Sequence, residues 1–279
     1  MRIITNELVE RFEMHLYEEE KSGNTIEKYM RDIRFFREWL CGNELDKSAV
    51  LEYKKLLCKK YALQSVNSML SSLNALFVFL NWYDFKVKTL KFQRRIYTDK
   101  SKELTKAEYE RLLKAARKKG SERLYYLMQT IASTGLRISE LQYVTCEAVN
   151  SRQAVINCKG KIRTVFLPEQ LCKMLKSYIR RCNIKSGSVF VTRNGKPLNR
   201  SNIWSEMKKL CESAGVEKSK VFPHNLRHLF ARTFYAIKKD IVRLADILGH
   251  SSVNTTRIYT MESGDSHRRL LESMKLLRC

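Results

Sequence analysis

Two short stretches late in the chain carry the side chains best suited to chemistry. FPHNLRHLFA, residues 222–231, holds two histidines and an arginine just behind a proline. ILGHSSVNTTRIYT, residues 247–260, holds a third histidine and, farther on, a tyrosine. Because the whole chain has only five histidines, these stretches concentrate its imidazole groups beside guanidinium and phenol groups.

The first stretch predicts a helix with one reactive face. Proline is favoured at the first position of a helix, so we expect the helix to begin at Pro223. His224, Arg227 and His228 then stand at positions i, i+3 and i+4 and crowd one face. An arginine beside neutral imidazoles makes a poor apolar core but a good clamp for a tetrahedral anion. Each residue alone is ordinary surface chemistry, whereas the cluster indicates an anion site.

TGLRISEL, residues 134–141, supplies a second arginine. Residues 123–145 are predicted to be helical on both sides of a break at Gly135. Arg137 opens the element after that break, and Glu140 follows three positions later, close enough to orient the guanidinium. Taken alone, the two residues favour an ordinary surface ion pair.

QAVINCKGKIRTVFLP, residues 153–168, predicts a β-hairpin. Alternating β-branched residues flank CKGK, which places Gly160 at the turn. SVFVTRNGKPL, residues 188–198, is a second strand-and-turn candidate because it contains an Asn-Gly pair. From Asn202 to its end the chain is predicted to be helical again.

The first third of the chain is also predicted to be helical. Apolar residues recur at steps of three and four in residues 24–40 and again in residues 65–83, with a shorter helical candidate at residues 48–61 between them. Core packing accounts for both apolar stripes. The stripe positions are Ile26, Met30, Ile33, Phe36 and Leu40 in the first helix, and Val66, Met69, Leu73, Leu76 and Leu80 in the second.

Local signals also predict two helix starts and a linker. Asn24 with Glu27, and Thr105 with Glu108, have the spacing of capping boxes. Hydrophobic periodicity lapses over residues 84–103, a strongly basic segment. It is predicted to be an extended linker, and either a strap along a phosphate backbone or a solvated connection explains its charge.

The charge of the chain indicates a polyanionic partner. Fifty-three Lys and Arg residues against 29 Asp and Glu give a net charge of +24. Nucleic acid is the leading partner because phosphate neutralisation supplies affinity without sequence preference. A solvated basic surface remains the alternative explanation.

Cysteine usage and hydropathy favour a cytoplasmic protein. None of the eight cysteines forms a CxxC pair, and no Cys/His cluster has zinc spacing. No apolar run approaches membrane-spanning length, and the first residues lack the apolar core of a secretory signal. We therefore expect reduced thiols, no membrane association and a cytoplasmic, nucleoid-associated location.

Taken together and in this order, TGLRISEL, KGK on a hairpin, HNLRH and LGHSSVNTTRIYT resemble the tyrosine recombinase family, also called lambda-integrase-like or Xer-like recombinases. The resemblance covers nearly the whole chain. It implies a mainly α fold, with a helical SAM-like core-binding domain and a mixed helical catalytic domain that includes a small β-sheet. The implied divisions are a DNA-binding domain at 1–88, a basic linker at 89–103, a catalytic domain at 104–279 and a C-terminal docking helix at about 266–278.

The resemblance also implies roles around a scissile DNA phosphate. Tyr259 is the implied nucleophile, which attacks the phosphate and forms a 3′-phosphotyrosyl link. Arg137 and Arg227 are implied to grip the non-bridging oxygens. His224 is implied to act as general base or hydrogen-bond donor, and His250 to donate a hydrogen bond to the phosphate.

Three further assignments complete the implied site. Glu140 is a supporting residue, and His228 is interpreted as a structural buttress of its helix. Lys159 is implied to protonate the 5′-oxygen leaving group, because its KG pair precedes the turn as in the family pattern. Lys161 and Arg163 lie on the same predicted hairpin and stay open as alternatives.

The chemistry of these residue types agrees with that assignment. A phosphodiester under attack gains negative charge, and two guanidiniums offer fixed bidentate donors where that charge develops. The ordinary pKa of tyrosine is near 10, so the phenol needs neighbouring arginines and an imidazole to lose its proton. Arginines replace metal ions here and a phosphotyrosine conserves the bond energy, so we expect no metal and no nucleotide cofactor.

The expected partner is double-stranded DNA carrying paired recombination sites. The resemblance implies strand exchange in pairs through a Holliday junction by a homotetramer on DNA, from a chain that is monomeric when free. The amphipathic C-terminal segment docks either in cis or, as the resemblance favours, on a neighbouring protomer. Integration, excision, inversion and dimer resolution all remain open as roles.

Two other functions compete with this interpretation. A type IB topoisomerase would relax DNA without recombining it, so relaxation of plasmids that lack a specific site would favour that class. A helical DNA-binding regulator with a relic site would cleave no DNA at all. The complete residue set argues against the regulator.

Overall fold

The computed structural model describes residues 2–91, 100–158, 160–192, 194–259 and 264–274. The chain forms two compact units, Met1–Arg94 and Arg95–Cys279. Both units are mainly helical, and the predicted fold class is confirmed. In the described ranges no helix is long and apolar enough to cross a membrane.

The first unit is a bundle of four helices. The helices are α1 (Asn6–Glu18), α2 (Gly23–Leu40), α3 (Lys47–Lys60) and α4 (Leu63–Phe79), followed by a 3₁₀ helix, Tyr83–Phe85. All five stripe residues predicted in α2 are buried. They pack with the apolar faces of the other three helices into one core.

Two local predictions in this unit are wrong. The capping box at Asn24 does not form, because α2 begins at Gly23 and its N-cap is Ser22. The Ser22 hydroxyl pairs with the Thr25 hydroxyl at 2.8 Å instead of capping the backbone. In α4 the buried stripe includes Leu70 and Phe77, whereas the predicted Met69 and Leu80 are only partly buried and lie at its margin.

The start of the predicted linker is part of the first unit. The Asn74 side chain accepts from the Val87 backbone amide at 3.0 Å and donates to the Val87 carbonyl at 2.9 Å. The Asn67 side chain forms the same pair of bonds with Leu90, at 2.7 and 2.9 Å. These two amides satisfy an extended backbone that has no strand partner. The central part of the predicted linker, residues 92–99, lies outside the described residues.

The second unit contains ten helices in its described part. They are α5 (Lys106–Lys118), α6 (Glu122–Thr134), α7 (Cys146–Ser151), α8 (Glu169–Arg181), α9 (Arg200–Lys208), α10 (Cys211–Ala214), α11 (Pro223–Lys238), α12 (Ile241–Leu248), α13 (Val253–Thr256) and α14 (Gly264–Ser273). Short 3₁₀ helices occur at Lys100–Lys102, Ile138–Tyr143, Lys218–Lys220 and Arg257–Tyr259. Helix α6 is buried along most of its length and packs against α5, α8 and α11.

One antiparallel hairpin completes this unit, as predicted. Strand β1 (Gln153–Cys158) pairs with β2 (Lys161–Phe166), with Cys158 opposite Lys161 at the turn. Gly160 has φ +71°, the left-handed conformation that this tight turn requires. Inward-facing Ala154, Ile156 and Val165 join the core of the unit.

The other two predictions for this region need correction. The described residues of 188–198 add no strand to the sheet, and their pairing consists of isolated bridges such as Val191 with Pro197. The helix predicted after Gly135 is a 3₁₀ helix, Ile138–Tyr143, rather than an α-helix. Its tighter winding follows an extended Arg137, whose backbone amide donates to the Glu140 side chain.

The predicted capping box at Thr105 is confirmed. Its hydroxyl accepts from the Glu108 amide at 3.2 Å, and the Glu108 carboxylate accepts from the Thr105 amide at 2.8 Å. We expect Thr105→Ala to destabilise the second unit by about 1 kcal/mol, because the amide at position 108 loses its acceptor. The measurement is the urea midpoint of that unit in the full chain.

Ser121 gives the matched control for this experiment. It is the N-cap of α6, yet its side chain makes no capping hydrogen bond. Ser121→Ala should therefore leave the midpoint nearly unchanged. Equal losses in the two variants would contradict the importance of the Thr105 cap.

Candidate active site

Helix α11 presents its reactive residues as the sequence predicts. Pro223 occupies the first turn, and His224, Arg227 and His228 follow on one face. The prediction did not anticipate that Arg227 is only 1% exposed. A buried guanidinium is costly unless its N–H groups are satisfied, so its partners define the site.

The ends of two other helices hold Arg227. Its Nη1 donates to the Gly135 carbonyl at 2.7 Å, and its Nη2 donates to the Leu248 carbonyl at 2.8 Å. Gly135 caps α6, and Leu248 is the last residue of α12. The carbonyls at a helix C-terminus lack intrahelical donors and carry the negative end of the helix dipole, so they stabilise a buried cation. The Nε–H of Arg227 is buried and has no hydrogen-bond acceptor within the described part of the chain.

Glu140 connects the arginines. Its carboxylate is buried and accepts from the Arg137 Nη1 at 2.9 Å and from the Arg137 backbone amide at 2.8 Å. It also accepts from the Arg163 Nη2 at 2.7 Å, and the Arg227 Nη1 lies 4.0 Å away. The predicted orientation of Arg137 by Glu140 is confirmed. The ordinary surface ion pair is excluded, because one partner is buried and shared.

His250 is held as a neutral ring with a defined tautomer. A guanidinium has only donors, so the contact of 2.9 Å between the Arg227 Nη2 and the His250 Nε2 makes Nε2 the acceptor. The proton must then lie on Nδ1, which is 2.8 Å from the Thr256 hydroxyl. Burial, with Arg227 and Arg137 nearby, lowers the pKa of His250 to about 4.

The other two imidazoles lie in a row that leads to Tyr259, and their rings meet edge to face. The ring centroids of His224 and His228 are 4.4 Å apart, and those of His228 and Tyr259 are 5.1 Å apart with the rings nearly perpendicular. Burial lowers the pKa of His228 to about 3 and, with the charges of Arg227 and Arg137, also lowers the pKa of His224. All three site histidines are therefore neutral at neutral pH.

Tyr259 lies inside this group of residues rather than on the surface. It ends the 3₁₀ helix Arg257–Tyr259, is 7% exposed and packs in a small apolar cluster with Ala231, Leu244 and Leu248. Its ring stacks over His250 at a centroid distance of 6.4 Å. Burial raises the pKa of Tyr259, although the nearby Arg227 guanidinium opposes that rise. The phenol is thus protonated in the DNA-free protein.

Arg227 stays charged despite its burial. Loss of solvent and the nearby Arg137 lower its pKa to about 10. At neutral pH the site accordingly contains three cationic arginines around one carboxylate, with neutral imidazoles and a neutral phenol. Among the described residues, no group of three or more His, Cys, Asp or Glu side chains is placed to hold a metal ion. A fixed positive site of this kind suits an anion such as a phosphodiester.

The hairpin carries the three residues considered as the general acid, and the structure describes them to different extents. Lys159, the predicted general acid, lies outside the described residues, and of Lys161 only the backbone pairing is described. Arg163, the third candidate, is unsuited to donate a proton, because its side chain binds Glu140 and the Ile247 carbonyl. An arginine so engaged is a permanent cation, not an acid at neutral pH.

Sequence reasoning missed two contributors to this site. Thr256 accepts the Nδ1 hydrogen of the tautomer that Arg227 selects in His250, and Gly249 gives room to the Arg163 side chain, which a Cβ at that position would approach to 2.6 Å. Both lie within the quoted stretch around His250, but a threonine and a glycine have no chemical signal of their own. Only the fold shows their contacts.

The site as a whole defines a class. A tyrosine, two guanidiniums and neutral imidazoles converge in one unit of one chain, which is the equipment for phosphoryl transfer through a tyrosine. The sequence matches the model of the phage integrase family over residues 102–265, and that of the phage integrase N-terminal SAM-like domain over residues 9–83.

Individual relatives agree with the family models. The chain is 31% identical over 287 aligned residues to tyrosine recombinase XerA of Pyrococcus furiosus. The alignment covers 99% of this chain and 96% of that protein. The chain belongs to the phage integrase family, the tyrosine recombinases, and is a site-specific DNA recombinase.

Solved structures share the fold. A crystal structure of XerA recombinase is 26% identical and superposes with a TM-score of 0.53, covering 99% of this chain and 100% of that one. A lambda integrase tetramer bound to a Holliday junction superposes with a TM-score of 0.73 at 16% identity, covering 91% of this chain and 76% of that one.

The neutral histidines predict how stability depends on pH. The pKa of His250 is about 4 in the folded protein, against an ordinary value of 6.5. Since the unfolded chain binds a proton there first, the free energy of unfolding has its full value above about pH 6.5 and falls as the pH drops toward 4. In His250→Gln that fall should be shallower, as measured by urea unfolding at a series of pH values.

His15→Gln, in α1 of the first unit, controls for the loss of an imidazole elsewhere. Its profile for the second unit should match that of the unmodified protein. An unchanged slope in His250→Gln would contradict a neutral, buried His250.

Proposed function

We propose that this enzyme cuts one DNA strand by attack of the Tyr259 hydroxyl on a backbone phosphate. The phosphorus–5′-oxygen bond breaks as a bond from the phenolic oxygen to phosphorus forms, which leaves a 3′-phosphotyrosyl link and a 5′-hydroxyl. Attack by the 5′-hydroxyl of a second strand reverses the step and releases the tyrosine. The observation that carries the proposal is the burial of Tyr259 among His228, His250 and the charged Arg227.

Arg137 and Arg227 are proposed to bind the non-bridging oxygens. Among the described residues the buried Nε–H of Arg227 has no acceptor, which supports this role, because such a donor is stabilised by an arriving anion. Arg137 is 38% exposed and retains donors beyond its bonds to Glu140. Fixed cations at this place favour the extra negative charge of the transition state over the ground state.

Proton transfer is assigned to two groups. His224 is proposed to take the phenolic proton, and its lowered pKa supports the neutral form that a base must have. Lys159 is proposed to give a proton to the departing 5′-oxygen, since an alkoxide leaves poorly without one. His250 is proposed to donate a hydrogen bond to the phosphate as well, which requires its Nε2 to leave Arg227 and to carry the proton that the DNA-free protein holds on Nδ1.

The assembly proposed on DNA is a tetramer that recombines paired sites through a Holliday junction. The tetrameric lambda integrase on such a junction supports this, as does the likeness to XerA over the full length of the chain. Leu271 in helix α14 and Met274 directly after it are 55% and 51% exposed, which supports packing of this helix on a neighbouring protomer. Residues 1–88 and 104–279 are proposed as the two halves of a clamp on duplex DNA, joined by the basic segment 89–103.

Removal of one hydroxyl group tests the proposed nucleophile. Tyr259→Phe should form no covalent protein–DNA adduct on nicked suicide duplexes drawn from the DNA that flanks the gene, whereas the unmodified enzyme should. The readout is the adduct band on a denaturing gel, and sequencing of the trapped strand identifies the cleavage site. Adducts formed by Tyr259→Phe would exclude Tyr259 as the nucleophile.

Tyr235→Phe is the matched control, because Tyr235 packs against the same small apolar cluster. It removes a hydroxyl from the same neighbourhood and should still form adducts. Failure of the unmodified enzyme to cleave any duplex would instead revive the non-catalytic regulator.

The net charge of +24 predicts a strong salt dependence of DNA binding. A protein that contacts six to ten phosphates loses on the order of 10³–10⁵ in affinity between about 50 and 200 mM salt, because bound counterions are released. We expect fluorescence anisotropy with a duplex to show a loss in that range. A flat response would contradict a clamp that neutralises phosphates.

A further inference from the structure

Arg163 occupies a junction between three elements of the second unit. It lies on β2 opposite Ile156, and its side chain is 17% exposed. Its Nη2 donates to the Glu140 carboxylate at 2.7 Å, and its Nη1 donates to the carbonyl of Ile247 near the end of α12. One guanidinium thereby joins the hairpin, the 3₁₀ helix after Arg137 and the turn before His250.

The turn before His250 is shaped around this side chain. Gly249 has φ +63°, and a Cβ there would lie 2.6 Å from both the Cδ and the Nε of Arg163. The Arg137 Nη2 also reaches this turn, at 3.4 Å from the Gly249 carbonyl. The same turn therefore contacts the two arginines that share the Glu140 carboxylate.

Exposure separates Arg163 from Arg137, since the Arg163 side chain is 17% exposed and that of Arg137 is 38% exposed. Glu140 supplies one negative charge beside the guanidiniums of Arg137, Arg163 and Arg227. Arg163 directs its described hydrogen bonds at protein acceptors. Without it, Glu140 would turn toward the remaining cations and would compete with the phosphate for their donors.

We propose that Arg163 is a positioning residue for the cleavage step, acting through Glu140 and the turn at Gly249. This inference depends on the proposed roles of Arg137 and Arg227 at the phosphate. It assigns Arg163 no contact with the reacting atoms. Its contribution is to keep Glu140 aligned, so that the two phosphate-binding arginines are preorganised before DNA arrives.

The expected phenotype is a split between binding and cleavage. DNA affinity comes from many phosphate contacts and should hardly change in Arg163→Gln. The rate of covalent adduct formation should fall on the order of 100-fold, the penalty for a displacement of about 1 Å at a reacting centre. The substrate is a suicide duplex with the site recovered from strands trapped on the unmodified enzyme, and anisotropy gives the affinity.

Arg111→Gln is the matched control. The Arg111 guanidinium also makes two hydrogen bonds within the second unit, to the carbonyls of Ala214 at 3.0 Å and Gly215 at 3.2 Å, but these join α5 to the end of α10. Arg163 bonds one carbonyl and the Glu140 carboxylate instead, so the thermal unfolding midpoint of each variant is measured to show that it is folded at the temperature of the cleavage assay. Only Arg163→Gln should lose cleavage, and equal cleavage rates in the two variants would overturn the inference.

A double-mutant cycle tests the route through Glu140. If Arg163 acts through that carboxylate, Arg163→Gln combined with Glu140→Gln should cleave about as slowly as the slower single variant. Losses that multiply would show that Arg163 acts independently, which contradicts the proposal.

A neutral substrate provides a readout that a purely structural defect would not change. A methylphosphonate at the scissile position carries no non-bridging charge, so it depends less on well-placed guanidiniums. On that substrate Arg163→Gln should recover most of its lost rate of adduct formation. A loss of rate as large as on the ordinary phosphate would overturn the proposal. If Arg163→Gln does not fold, Arg163→Lys, which keeps the charge but cannot bond both partners at once, takes its place.

The same experiment distinguishes failure of the proposed function from failure of the inference about Arg163. The unmodified enzyme and Tyr259→Phe are run beside the Arg163 variants on the same duplex. Absence of adduct with the unmodified enzyme defeats the proposed function itself. Adduct formation by the unmodified enzyme, with Arg163→Gln equally fast, defeats only the inference about Arg163.

Discussion

The central constraint of this enzyme is one buried carboxylate surrounded by three guanidiniums. Glu140 balances only one of the positive charges of Arg137, Arg163 and Arg227. A buried excess of cations is unfavourable unless it is solvated by protein dipoles or neutralised by an anion. The fold supplies the dipoles, and the remaining positive charge makes the site favourable for an anion, as the proposed binding of a phosphodiester requires.

The helix ends that solvate these cations depend on two glycines. Gly135 and Gly249 have φ +69° and +63°, and they end α6 and α12 where carbonyls can face the arginines. A Cβ at Gly135 would lie 2.5 Å from the Phe230 ring and 2.9 Å from Leu248. The close approach of these chain segments therefore needs glycine for both conformation and space. The position of Arg227 therefore depends on the carbonyls that become available at the C-terminal ends of α6 and α12.

Much of this site could be predicted from residues that are close in sequence. The shared face of His224 and Arg227 follows from helical spacing, and the contact of Arg137 with Glu140 follows from the three-residue spacing of a capping box. The burial of Arg227 and the role of Arg163 could not be predicted in this way, because their partners lie far away along the chain. Sequence periodicity also cannot distinguish an α-helix from a 3₁₀ helix of two turns, which explains the error after Gly135.

Burial shifts the pKa of the Tyr259 phenol and the pKa values of the imidazoles in opposite directions, and these shifts set the protonation states of the DNA-free site. It raises the pKa of the Tyr259 phenol and lowers the pKa of the imidazoles at His228 and His250, while Arg227 keeps its charge with a pKa of about 10. Around neutral pH no group in this set changes protonation by itself. Under the proposed mechanism, the phenol gains reactivity only when a phosphate engages the arginines and a base is brought within reach of its proton. That mechanism places the control of cleavage in the geometry of DNA binding, because the phenol stays protonated until DNA arrives.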